Sequence, residues 1–513
     1  MTSDAWIERR SPAEPMPTSS RSINLCWTAL VGIPAFCVAI HQGHLLNFGF
    51  PVLVFIVALI FAKSSPRDYI RLVILILVFC PFVRRLADYF GGGFTDPSPV
   101  LIAQYVVPLA GLRMLSLKKA NLKGLLPINL TLVALLNGVL VAFILHVPVN
   151  TVALTLLREV TPLLIAFYVV QHSMYARELV EISLQTLRWA SLASAVYGLY
   201  QYAFPPAWDF LWLKSLAESG AGTSYGRAAA FEFRVFGTLH SGGVAAHVWG
   251  VGVVCWLFSK SRYRSIAAAI LIGAISVTLV RTEWICLPIA IVTGLVLTRD
   301  QWKANMRGIT GLVAIILVFF GIAAAANPDV VFRLSDRFST LGQSSNDESY
   351  NSRKTAMAAS VDMLKSSPFG YGLGFLDSPA YDRTLMANPS NATPSDLGLL
   401  GMFFDLGILG TILYLFGFSM VLRAGLRARG MGTAVSIICT CLLLDLTHVW
   451  SNNVFVAPTS FLLWLFGGLV CALDSRRTAS DNADPQLAAP LSSNPLGLLP
   501  DTVTAPASLG ELS

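Results

Sequence analysis

Charge is scarce in this chain. Asp, Glu, Lys and Arg make up 13% of its 513 residues, about half the share of an ordinary soluble domain, while 55% are hydrophobic. That balance excludes a soluble protein of this length. Cysteine is absent from the polar segments: all eight, Cys26, Cys37, Cys80, Cys255, Cys286, Cys439, Cys441 and Cys471, lie inside or beside apolar runs. They read as small core residues rather than as disulfide or zinc ligands, and the close pair Cys439 and Cys441 points to different faces of a helix. A cleavable signal peptide is also lacking, because residues 1–22 are polar and Pro-rich and carry Arg9, Arg10 and Arg21; this end is expected to stay in the cytosol. The net charge of +7 is spread over short loops between apolar runs, so it reads as an orientation signal, not a nucleic-acid footprint.

What the chain has in abundance is apolar runs of roughly 17 to 25 residues, each long enough to cross about 30 Å of hydrocarbon as a helix. The expected architecture is all-α: a polytopic membrane bundle of about fourteen spans, starting near residues 23, 45, 68, 98, 125, 151, 185, 241, 265, 283, 308, 396, 432 and 457. With the N-terminus inside, Lys63 and Arg67, Lys118, Lys119 and Lys123, Arg423, Arg427 and Arg429, and the other basic loops fall on the cytosolic side. Arg84 and Arg85, at the outer end of the third span, are the exception. The chain divides into a cytosolic segment 1–22, a bundle 23–473, and a disordered cytosolic tail 474–513 rich in Ala, Pro, Ser and Leu. Two loops, about 205–240 and 327–395, are too long for simple connections and fall on the outer face, where function is sought. Neither contains a D-x-D sequence that would hold a metal-bound nucleotide sugar. No fixed-period repeat and no inverted pair of broken helices is evident.

Several charged residues sit where charge is costly. Arg227 and Arg234 close the first loop in SYGRAAAFEFRVFGTLHSGG, just before a span. Arg281 and Glu283, in LVRTEW, lie where two helices turn at the outer face; an arginine there either takes an anionic partner, Glu283 or a ligand, or snorkels to the interface. Arg158 and Glu159 fall inside the sixth span, pointing about 100° apart, and are either pathway or site residues or half of an ion pair with another span. In the second loop, Met357, Val361 and Leu364 form one stripe of a helix that Arg353 continues. It stops at Ser367-Pro-Phe-Gly-Tyr-Gly-Leu-Gly374, whose glycines form a tight turn or let backbone N–H groups approach a phosphate. Asp396, at the start of the next run, is a helix cap or a general base. Asp445 and His448, one turn apart, read as a local hydrogen-bonded pair or a relay.

Taken in order, FRVFGTLHSGGVAAHVWG, LVRTEWICLPIAIV, SRKTAMAASVDMLKSSPFGYGLGF and SDLGLLGMFFDLGILGTILYL resemble the O-antigen ligase and Wzy-type polysaccharide polymerase superfamily over residues 233 to about 414. The resemblance implies a GT-C-like, metal-independent inverting glycosyltransferase with no cofactor, acting at the periplasmic face of a bacterial inner membrane on undecaprenyl-pyrophosphate-linked oligosaccharides. Arg234, Arg281 and Arg353 would face the pyrophosphate, with Arg227 and Arg158 as further contacts, and Asp396 would accept the proton of the attacking hydroxyl. Ligases of the superfamily place a His-Asn pair where Asp396 stands and a glutamate where Asp405 stands, which turns the reading toward a polymerase. Membrane lipids, a flippase and chain-length or export proteins are the implied partners. A ligase of the same fold, and a transporter using Arg158, Glu159, Asp405, Asp445 and His448, are the alternatives.

Overall fold

The computed structural model describes residues 21–116, 122–218, 225–326, 332, 348–378, 398–448 and 459–481. Among them every regular element is helical, apart from an isolated bridge between Gly226 and Phe233. The α-helices are α1 (Arg21–Ala39), α2 (Leu46–Ser64), α3 (Pro66–Phe90), α4 (Ala103–Leu109), α5 (Leu122–Ile144), α6 (Val149–Gln171), α7 (Ala176–Ala203), α8 (Ala207–Glu218), α9 (Gly242–Leu257), α10 (Arg264–Thr278), α11 (Arg281–Leu297), α12 (Trp302–Ala326), α13 (Glu348–Ser366), α14 (Gly398–Ala428), α15 (Thr433–Thr447) and α16 (Thr459–Asp481).

Helical structure begins close to twelve of the fourteen expected starts; α7 begins at Ala176, well before 185, and α12 at Trp302, six residues before 308. Crossing a membrane is a stricter test. Five helices among the described residues are long and apolar enough: α1, the Gly43–Ser64 stretch, α5, α6 and α14. A sixth is added if α11 and α12, bent by 88° at their junction, form one broken span. Helices α9, α10 and α15 have 16, 15 and 15 residues, about 22 to 24 Å at 1.5 Å per residue, short of a hydrocarbon core of roughly 30 Å. Helix α3 has the length but carries Arg67, Asp68, Arg71, Arg84, Arg85 and Asp88. The long loops hold structure of their own: α8 lies in the first and α13 in the second.

Local chemistry sets the helix starts. Ser65 caps α3: its hydroxyl donates to the Asp68 carboxylate at 2.6 Å and accepts from the Asp68 N–H at 3.3 Å, with Pro66 filling the first helical position, where no N–H is needed. Ser241 caps α9 by accepting from the Val244 N–H at 3.3 Å. The bundle then packs through its apolar faces, with α5 against α14, α6 against α16, α9 against α10 and α3 against α7 as the most extensive pairs. Where α14 crosses α5, a side chain at Gly417 would meet the Pro127 carbonyl at 2.8 Å. Small residues let the two backbones approach, as membrane helix packing requires.

The glycine turn of the second loop is wedged into this bundle. Helix α14 is interrupted at Gly407, whose φ is 67°. The turn supplies what the broken helix loses: the Tyr371 N–H donates to the Phe404 carbonyl at 2.7 Å, and the Ile408 N–H donates to the Pro368 carbonyl at 3.0 Å. A β-carbon on Gly370 would stand 2.6 Å from the Gly407 nitrogen, so contact needs glycine on both sides. The turn is therefore a tight structural wedge. Helix α13 forms as its stripe implied, with Met357 and Val361 exposed and Leu364 half-buried among the described residues. Helix α16 continues to Asp481, past the expected end of the bundle near 473.

Candidate functional site

The end of the bundle at which α11 starts, here the upper end, gathers most of the buried charge. The stretch Phe233–Leu239 between α8 and α9 is drawn inward. Phe233, Val235, Phe236 and Leu239 are buried, the Thr238 hydroxyl donates to the Val78 carbonyl at 2.9 Å and accepts from the Ser194 hydroxyl at 2.7 Å, and Gln201 Oε1 accepts from the Gly237 N–H at 3.1 Å. Arg84 and Arg85, the apparent exceptions to the charge rule, clasp this end. Arg85 Nε lies 2.6 Å from Asp209 of α8, its Nη1 donates to the Leu239 carbonyl at 2.6 Å, its Nη2 donates to the Gly237 carbonyl, and its guanidinium lies over the Phe236 ring. Arg84 reaches Asp88 at 3.5 Å and donates to the Thr95 carbonyl at 2.8 Å.

Backbone hydrogen bonds hold the segment that carries two of the arginines singled out by sequence, Arg227 and Arg234. The Arg227 N–H donates to the Glu232 carbonyl at 3.2 Å and the Arg234 N–H to the Tyr225 carbonyl at 2.7 Å, closing a small hairpin with Arg227 exposed and Arg234 half-buried. The next N–H, Val235, donates to the Val277 carbonyl at 3.4 Å, at the end of α10. Arg281 follows as the first, half-buried residue of α11. Arg234 and Arg281 thus share one locality. Arg353 lies within α13, a helix on the second loop. Asp396 lies outside the described residues.

His240, at the end of the hairpin, is half-buried, and its pKa is pushed down to about 4 by burial and then by the positive charges of Arg84 and Arg85. The unfolded chain binds this proton near pH 6.5 and the folded chain only near pH 4. The folded state is therefore fully favoured above pH 6.5 and loses stability as pH falls from there toward 4. Thermal unfolding in detergent should show a midpoint that drops between pH 7 and pH 5, with a visibly shallower drop for His240→Gln. Equal slopes in both proteins would remove His240 from the effect.

A second charged group surrounds α6. Arg158 Nη1 donates to Asp377 Oδ2 at 3.0 Å, joining α6 to the residues just after the glycine turn. The Gly374 N–H donates to Asp405 Oδ1 at 3.2 Å, and Glu159 is buried. Arg158 thus pairs with a loop carboxylate, not with another span as one of the alternatives had it. Glu159, Asp377 and Asp405 are three carboxylates near one guanidinium. Asp377 escaped the sequence reading because only the turn that folds back onto α14 carries it to Arg158.

The third group joins Glu283, Asp445 and His448, each singled out by sequence but not as a cluster, with His247, which the sequence reading missed. His448 Nε2 and Glu283 Oε2 are 2.7 Å apart, and His247 Nε2 and Asp445 Oδ1 are 2.8 Å apart. All four residues are buried, and the two rings meet edge to face with centroids 4.7 Å apart. Asp445 and His448, expected as a local pair, instead each reach a different helix, Asp445 to α9 and His448 to α11. His247 carried no signal because it sits inside the apolar run GGVAAHVWG.

Buried charge knitting together many apolar helices defines a multi-pass helical membrane protein. The model of one family, Wzy_C, described as O-Antigen ligase, matches residues 266–415 and supports the superfamily that the ordered motifs resemble. Members of that family are glycosyltransferase-like enzymes, ligases and polymerases, so activity of that general type is supported for this chain. The match takes in Arg281, Glu283, Arg353, Asp377 and Asp405 and stops short of Arg158, Arg234 and His448. No curated protein and no solved structure matches.

Proposed function

We infer that this protein is a Wzy-like polymerase, joining undecaprenyl-pyrophosphate-linked oligosaccharide units at the periplasmic face of a bacterial inner membrane. In this reading the upper end is periplasmic, both termini are cytoplasmic, and about fourteen helices take part in crossing or lining the bilayer. The observation that carries it is the shared locality of Arg234 and Arg281, tied by the Val235–Val277 hydrogen bond, with Arg281 inside the Wzy_C match.

No nucleotide sugar is available on that face, so the donor arrives already activated on lipid pyrophosphate. The acceptor hydroxyl attacks the anomeric carbon, the bond from that carbon to the pyrophosphate oxygen breaks, and its electron pair leaves with the pyrophosphate. Arg234, Arg281 and Arg353 meet the growing negative charge with bidentate hydrogen bonds. Arg227 is an outer contact. Arg158 joins only by exchanging Asp377 for a phosphate oxygen. The hydroxyl proton passes to Asp396, the carboxylate placed by the sequence at the mouth of α14. A single displacement inverts the anomeric centre, and the arginines do this work without a metal. A flippase supplying the donor and a chain-length regulator or exporter receiving the polymer are the partners this reading implies.

The discriminating measurement is the species that accumulates when the protein is deleted. Single lipid-linked repeat units are expected. Long lipid-linked chains would instead assign the protein as a ligase. Turnover of lipid-linked oligosaccharide by the purified protein in detergent, with no second compartment, is expected, and its failure alongside intact translocation would favour transport.

A further inference from the structure

We propose that His247, Glu283 and His448, with Asp445 beside them, form a structural site for a divalent transition-metal ion, zinc above all, that ties α9, α11 and α15 together at the upper end. One donor atom from each of the first three residues lies within 4.8 Å of the others, and all three residues are buried. Two imidazoles and a carboxylate are a zinc donor set, and zinc at about 2.0–2.1 Å from each places donors roughly 3.4 Å apart. The 2.7 Å contact between His448 Nε2 and Glu283 Oε2 opens slightly to admit it.

Three independent features point to an ion rather than to two simple pairs. First, the donors are under-used: beyond the His247 Nε2–Asp445 Oδ1 contact at 2.8 Å, His247 Nδ1, Asp445 Oδ2 and Glu283 Oε1 are buried without a hydrogen bond. Buried polar atoms are rarely left so. Second, His448 Nδ1 lies 2.9 Å from the Leu444 carbonyl. A proton on Nδ1 fixes the tautomer whose Nε2 lone pair faces the cluster, which is how backbone carbonyls orient metal-binding histidines. Third, α9 makes room for the carboxylate, since a β-carbon on Gly250 would fall 1.8 Å from Glu283 Oε1. Formal charge matches as well: one dication offsets the two carboxylates, Glu283 and Asp445.

The test uses full-length protein purified in detergent through a tag without histidine, stripped with chelator and reloaded with zinc chloride. The expected result is one zinc per chain by elemental analysis, a thermal midpoint that climbs with zinc concentration, and visible ligand-field bands in the cobalt-loaded form. His247→Gln with His448→Gln should lose at least five-sixths of the zinc and the cobalt bands. Gly250→Ala, which keeps every donor but crowds Glu283, should weaken zinc binding at least tenfold, whereas His172→Gln leaves it unchanged. Absence of stoichiometric zinc in the unaltered protein overturns the proposal, as does full zinc content in the double variant. The readout is metal content, so it stands or falls apart from the polymerase reading.

Discussion

Arg281→Ala is expected to abolish high-molecular-weight polymer in cells while leaving the protein in the membrane at its normal level. Arg281 opens α11 half-buried, close to the hairpin that holds Arg234, where a guanidinium meets a departing pyrophosphate in a setting drier than bulk water. Removing one such donor costs about 10² to 10³ in rate in well-studied oxyanion sites, and a polymer built by many successive transfers compounds that loss. Arg281→Lys should recover only a fraction, because an ammonium keeps the charge but not the paired, planar donors that fit a phosphate. Arg353→Ala is expected to behave like Arg281→Ala. Normal polymer length in both alanine variants removes these residues from the reaction.

The fold was legible wherever physics acts locally. Apolar runs and the stop after Ser366 each declare themselves within a few residues, and the helices follow them. The break in α14 did not declare itself. Asp405-Leu406-Gly407 reads as ordinary helix, and the interruption at Gly407 becomes affordable only because Pro368 and Tyr371, from a distant turn, satisfy its backbone. Site residues divide in the same way. The arginines stood out because charge beside a membrane run is costly enough to notice. Their partners did not: Asp377 and Asp209 look like common surface acids until the loops fold back onto Arg158 and Arg85, and His247 is hidden by apolar neighbours. Arg84 and Arg85 carry the clearest lesson. A breach of the charge rule at the end of a span marked an internal clasp.

That clasp gives the largest expected loss of stability in the molecule. Arg85 is 1% exposed and its partner Asp209 is fully buried; the Asp209 carboxylate also accepts from the Tyr197 hydroxyl at 2.5 Å, and Trp208 donates to that hydroxyl at 2.8 Å. Arg85→Ala strands the carboxylate, the Tyr197 arm and two carbonyls, Gly237 and Leu239, at once. Breaking one side of a buried pair costs about 3–5 kcal/mol, a large share of the roughly 5–15 kcal/mol that holds a typical fold. The thermal midpoint in detergent should fall steeply, with reduced recovery from membranes. Asp209→Ala should do the same by leaving the guanidinium alone. Replacing both together, Arg85→Met with Asp209→Leu, removes the stranded charge and should lose less than either Arg85→Met or Asp209→Leu alone, so the coupling in that double-mutant cycle is large. Additive losses would mean that the two side chains do not depend on each other. The clasp also decides where Arg234 sits, because Arg85 holds the carbonyls of Gly237 and Leu239, only a few residues beyond it. Polymer formation in any Arg85→Ala protein that still reaches the membrane should therefore fall further than its abundance does.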